Sequence, residues 1–237
     1  MTDYALYLES GPKRKKTMVH VLDLLGCIAQ GPTTEAALEA TPDAIRAYLG
    51  FLQRHGEKVD PLELFITRVM EHITEGNWLA NGDPTSGFAP DFEPLSARML
   101  RIHLQRLDWM LDELLELVNN LPEAQLLAQP ETGRTIHHIL QHLVEAHGVY
   151  LRYLVGKVDG LSALLRAVEH TPADSMPAIL SELWSISQAR LRILTDDERE
   201  MLVPHGQVTW TANRCLRRML EHTWEHRLEI AARKLVF

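Results

Sequence analysis

From Ala97 onward the apolar residues of this chain recur with the period of an α-helix, and four such stretches follow one another. A soluble chain patterned in this way has to bury four apolar stripes against each other, which makes this part a helical bundle. The first stripe is Leu100, His103 or Leu104, Leu107, Leu111, Leu114 and Val118, ending at Asn119-Asn120-Leu121-Pro122. The second runs from about Thr135 to Val155 through Ile136, Leu140, Leu143, His147, Tyr150 and Leu154, and Gly156 stops it. After a short helical piece at 161–169, Ser175-Met176-Pro177 restarts the chain into a third helix, Ala178 to Leu194. Residues 196–207, with Pro204 and Gly206, read as a loop, and Thr209 or Thr211 caps a fourth helix that runs near to Lys234.

The fourth helix carries unusual cargo. On a helical wheel Cys215, Met219, His222, His226 and Ile230 share one side, while Arg217, Arg218, Glu221, Glu225 and Leu228 point elsewhere. Burying an imidazole without a partner costs about 1 to 3 kcal/mol, so two inward histidines need hydrogen bonds or a ligand. At i and i+4 they can grip one ion, although the glutamate of an HExxH protease motif is missing. Two core histidines satisfied by their neighbours would give the same pattern. Of the 12 histidines, nine lie after residue 100. The second helix offers His137, His138, His142 and His147, and periodicity alone selects His147, with His142 toward the edge of the stripe. His103 reads as a core histidine, Cys215 as core two turns from His222, and Trp210 and Trp224 as packing. Glu145, Glu225 and Glu229 are candidates to orient ligand imidazoles, against the plainer reading of solvated helix surface.

The first third of the chain has a different rhythm. Tyr4 to Glu9 alternates, and Ser10 to Thr17, with Gly11-Pro12 and the run Lys13, Arg14, Lys15, Lys16, reads as a hairpin turn into a second strand, Met18 to Leu25. Cys27 to Gln30 is a short third strand. Thr33 caps a helix that Pro42 either kinks or restarts, and that ends at Gly56; Leu62 to Met70 is a closing strand. This βββαβ order makes an α+β domain over 1–76. Residues 77–96, with Gly82-Asp83-Pro84, Gly87, Pro90 and Pro94, read as a linker to the bundle at 97–237.

Two family resemblances attach to these residues. Asp23-Leu24-Leu25-Gly26-Cys27 followed by Gln30-Gly31-Pro32-Thr33-Thr34-Glu35-Ala36-Ala37-Leu38 resembles the HicB-like domain, a sheet-and-helix module best known from antitoxins, over the first 76 residues. No ribbon-helix-helix or helix-turn-helix pattern follows it. Ile139-Leu140-Gln141-His142-Leu143-Val144-Glu145, with His222-x-x-x-His226-Arg227 far downstream, resembles the DinB-like (DinB/YfiT) superfamily over 97–237. That resemblance implies an all-α up-and-down four-helix bundle and a divalent metal ion, zinc, nickel, iron or manganese, held by His142, His222 and His226. It also implies small-thiol-dependent transfer, or metal-assisted hydrolysis, of a small-molecule substrate, in a homodimer.

Composition narrows the remaining classes. With 24 basic against 32 acidic residues the net charge is -8, which argues against broad binding to nucleic acid or anionic membrane. No run approaches the roughly 18 apolar residues of a membrane span. Met1 to Ser10 lacks a signal-peptide layout, and two separated cysteines indicate no disulfide framework, so the expected compartment is the cytoplasm. The alternative to an enzyme is an interaction or regulatory protein that uses the HicB-like domain to bind a protein or DNA partner.

Overall fold

The structure, a computed structural model, describes residues 1–11, 16–76, 78–81 and 86–234. The chain forms two compact units, one of residues 1–93 with 206–209, the other of 94–205 with 210–237. In the first, β1 (Thr2–Gly11) pairs antiparallel with β2 (Lys16–Val21), in register from Leu6 opposite Val21 to Gly11 opposite Lys16. The basic run falls, apart from Lys16, outside the described residues. A 3-10 turn at Leu22–Leu24 ends β2 earlier than its apolar run suggests, and β3 (Ile28–Gly31) returns antiparallel to β2. Next come α1 (Thr34–Arg54) and β4 (Phe65–Ile73), the latter parallel to β1, giving the sheet order β3-β2-β1-β4.

Local chemistry explains these elements. Tyr4, Leu6 and Leu8, two residues apart, are all buried, as one face of a strand requires. The Thr33 hydroxyl accepts the Ala36 N–H at 3.1 Å, and α1 passes through Pro42 as a single helix. Gly31 lies so close to the first turn of α1 that a Cβ there would sit 2.4 Å from the Ala37 nitrogen, a contact only glycine avoids. The Tyr48 hydroxyl donates to the Leu25 carbonyl at 2.6 Å, tying α1 to the turn before β3. Several described residues of the stretch expected as a linker are packed. Leu79, Ala80, Ser86, Phe88 and Asp91 are buried, with the Phe88 ring 5.4 Å from Tyr7 and 5.1 Å from His20. The Ser86 hydroxyl donates to Glu9, whose other oxygen lies 3.1 Å from His20 Nε2. Periodicity misses such a segment because its contacts are individual side chains set between prolines and glycines.

The second unit is helical: α2 (Ala97–Val118), α3 (Glu123–Leu127), α4 (Ile136–Val155), α5 (Leu161–Ala167), α6 (Met176–Leu191), α7 (Asp196–Glu200) and α8 (Ala212–Lys234). Two short strands, β5 (Val203–His205) and β6 (Val208–Trp210), come before α8 in the chain. Hydroxyl caps start three of the long helices: Ser96 accepts the Met99 N–H, Thr135 that of His138, and Thr211, rather than Thr209, that of Arg214. The four long helices pack in the ring α2–α8–α4–α6, closed by a lighter α6–α2 contact. Helix α4 therefore lies directly beside α8, although a whole helix and two connections separate them in sequence.

Because α8 packs on both α2 and α4, one apolar stripe does not describe it. Arg217, Arg218 and Glu221, which the wheel points away from the apolar stripe, are buried, as is Arg214, and Arg217 donates to Glu221 one turn on at 3.0 Å. Arg227 pairs with Glu113, joining α8 to α2. Gly148 lets α5 close on α4, since a Cβ there would meet the Leu165 side chain at 2.6 Å. Among the described residues no helix is long and apolar enough to cross a membrane.

Candidate metal centre

The contact between α4 and α8 brings three of the sequence-selected histidines to one point. His142 comes from the second turn of α4, and His222 and His226 from successive turns of α8. One ligand nitrogen from each lies within 4.8 Å of the other two. The Nε2 atoms of His222 and His226 are 3.1 Å apart, and the His142 ring stands edge-on to both, 4.7 Å from His222 and 5.6 Å from His226 between centroids.

The donor set fits a divalent cation. Tetrahedral binding at about 2.0–2.1 Å sets ligand nitrogens about 3.3 Å apart, close to the His222–His226 spacing and a small side-chain shift from the others. A proton shared between His222 and His226 accounts for that one distance but not for the arrival of His142. The second nitrogens carry further information. Nδ1 of His226 lies 2.8 Å from Glu229 Oε2; an N–H donated there leaves Nε2 with its lone pair facing the cluster. Arg233 in turn pairs with Glu229 and donates to the Arg134 carbonyl. His222 Nδ1 is buried without a hydrogen-bond partner.

Electrostatics favour the neutral form of two of these rings, His142 and His222. Burial, then Arg134 and His226, pushes the His142 pKa down to about 4, and burial with the neighbouring imidazoles pushes His222 well below its ordinary 6.5. A neutral imidazole has a lone pair to give.

The other candidates separate cleanly. His147, the choice of periodicity, is buried at the centre of the α4 stripe with its pKa pushed down to about 3 by burial, yet it stays outside the cluster; its Nε2 faces the Thr223 hydroxyl at 3.4 Å. His137 donates to the Thr171 carbonyl. His103 is a core residue, but its Nδ1 is buried without a hydrogen-bond partner, and burial and Arg106 push its pKa down to about 4. Cys215 is core, its thiol pushed up to about 12 by burial. Trp210 stacks on Tyr150 at 5.4 Å and Trp224 lies under Arg227, both as packing residues. Of the three glutamates, Glu145 is exposed and Glu229 reaches a cluster imidazole. Sequence reasoning missed Arg233; its only trace is the i,i+4 spacing from Glu229.

Compared with known protein families, residues 106–230, more than half of the chain, match the model of the DinB superfamily. No curated protein and no solved structure matches the chain.

Proposed function

Because this chain belongs to the DinB superfamily, we propose that it is a divalent-metal-dependent enzyme whose ion is held by His142, His222 and His226. The reading rests on one observation: three imidazoles from two neighbouring helices converge, one of them hydrogen-bonded to a carboxylate. Three protein ligands leave a coordination position open, which suits catalysis better than structure. Lewis-acid chemistry is what the ion supplies when bound, acidifying a water or a small thiol and polarising a substrate. The chain's own residues do the rest. Glu229 fixes the His226 tautomer, Arg233 holds Glu229, and the packed α4–α8 interface keeps the three nitrogens in place. We read the reaction as small-thiol-dependent transfer or hydrolysis of a small molecule, carried out by a homodimer. Histidine-only ligation suits zinc, nickel, iron or manganese.

Elemental analysis after loading with each of these ions tests the proposal. The wild type and His147→Ala should each retain about one ion per chain, and His142→Ala and His226→Ala should lose it. A wild type that retains none, or a loss in His147→Ala with retention in His142→Ala, overturns the assignment. The βββαβ order of the first unit supports the HicB-like reading of residues 1–76, whose role beside the metal centre we take to be partner contact.

A further inference from the structure

Strand β4 is an edge of the four-stranded sheet, with β1 on one side and, among the described residues, no strand on the other. Its free edge is long, nine residues, and neither proline nor lysine interrupts it from Leu62 to Ile73. Natural sheets guard such edges with those residues, because an open row of N–H and C=O groups pairs with any strand that reaches it. Here exposed apolar side chains lie along the strand and just before it. Leu62, Leu64, Ile66, Val69 and Met70 are 83, 77, 48, 46 and 53 % exposed, the densest run of exposed large apolar side chains among the described residues. A stretch of this kind marks an interaction site.

We propose that the β4 edge pairs antiparallel with the β4 edge of a second copy of this chain, with the two-fold axis passing through Val69. The pairing of β4 with β1 carries the argument. Ile66 and Arg68 lie beside Asp3 and Ala5, and Glu71 and Ile73 beside Tyr7 and Glu9, so these four share one face; Val69, beside Leu6, takes the other. The register shifts between Leu6 and Tyr7, leaving Met70 as the extra residue of a bulge. With the axis at Val69, the bulge sets Arg68 opposite the partner's Glu71 and Ile66 opposite the partner's Ile73, on matching faces. Both contacts occur twice by symmetry. The next registers on either side put Arg68 against the partner's Arg68, or Glu71 against the partner's Glu71, and like charges opposite each other destabilise a strand pair. The edge is thus self-complementary in one register and self-repelling in the adjacent two. A single strand pair lies at the low end of stable interfaces, near or below about 1,200 Å², so the dimer should dissociate on dilution in roughly the micromolar range.

Sedimentation of the full chain over a dilution series, with charge-swapped variants, is the test. The wild type should show a monomer–dimer equilibrium. Arg68→Glu and Glu71→Arg should each weaken it by about tenfold, since each repels twice across the axis, and the double variant should recover most of the loss. Circular dichroism matching the wild type establishes that the variants fold. Independently, Val69→Cys should cross-link to itself on mild oxidation, because it lies on the axis and Cys27 and Cys215 are both buried. A wild type that stays monomeric, a dimer indifferent to Arg68→Glu, a double variant that recovers nothing, or a dimeric Val69→Cys that does not cross-link overturns the proposal.

Discussion

Glu229 is where the candidate metal centre is most open to challenge by a single substitution. Its Oε2 lies 2.8 Å from His226 Nδ1, its side chain is 35 % exposed, and Arg233 holds it from the far side. A hydrogen bond to a charged group contributes about 1.5–3 kcal/mol against about 0.5–1.5 for a neutral pair. Glu229→Gln keeps the shape and an acceptor oxygen but loses the charge, so the difference, about 1 kcal/mol, should weaken metal binding by about fivefold. Glu229→Ala also frees the ring to turn and to change tautomer, and removing such an orienting partner costs about 10- to 100-fold in affinity. Competition against a chromophoric chelator at fixed pH measures both, with Glu145→Ala as the control that should stay within about twofold, because Glu145 is exposed and makes no contact with the cluster. If Glu229→Ala binds metal as tightly as the wild type, the carboxylate does not position His226 and the reasoning fails.

Three further outcomes follow from the same structure. Metal retention should be lost by the time pH has fallen to about 4, where His142, its pKa lowered to about 4 by burial, takes up a proton and has no lone pair to give; elemental analysis after dialysis at stepped pH checks this. The metal-free chain should lose stability as pH falls from 6.5 toward 4, since the unfolded state takes up a proton that folded His103, at about 4, refuses. That one group is worth about 2 kcal/mol by pH 5, so urea unfolding followed by tryptophan fluorescence at pH 7.5 and pH 5 should show a flatter pH dependence in His103→Leu. Limited proteolysis should leave a stable helical fragment beginning between residues 77 and 97, and a fragment that unfolds would count against two independent domains.

The fold was legible wherever one repeating pattern decided it. Four stripes at helical spacing gave α2, α4, α6 and α8 to within a few residues, and alternation gave β1 and its hairpin with β2. Ring order was not legible, because a stripe says that a helix has an inward face and not which helix it meets. The burial of Arg217, Arg218 and Glu221 escaped the wheel for the same reason: a helix between two neighbours hides more of its circumference than one stripe. The packing of Ser86 and Phe88 escaped because they are fixed by individual contacts, on Glu9 and on Tyr7 and His20, that leave no periodic trace.

The choice between His142 and His147 shows what a stripe can and cannot say about a site. Periodicity favours His147 because it sits at the middle of the apolar face of α4, and the structure does bury it there. That position turns the His147 ring toward the Thr223 hydroxyl and leaves it outside the cluster. A shared ligand point forms instead where two helices meet, and a residue at the edge of one stripe can reach it from beside residues within the other. His142 holds that position on α4, and His222 and His226 reach the same point from α8. Hence the ring that reaches the cluster is the one the wheel ranks second, and the one it ranks first stays a neutral core histidine facing Thr223.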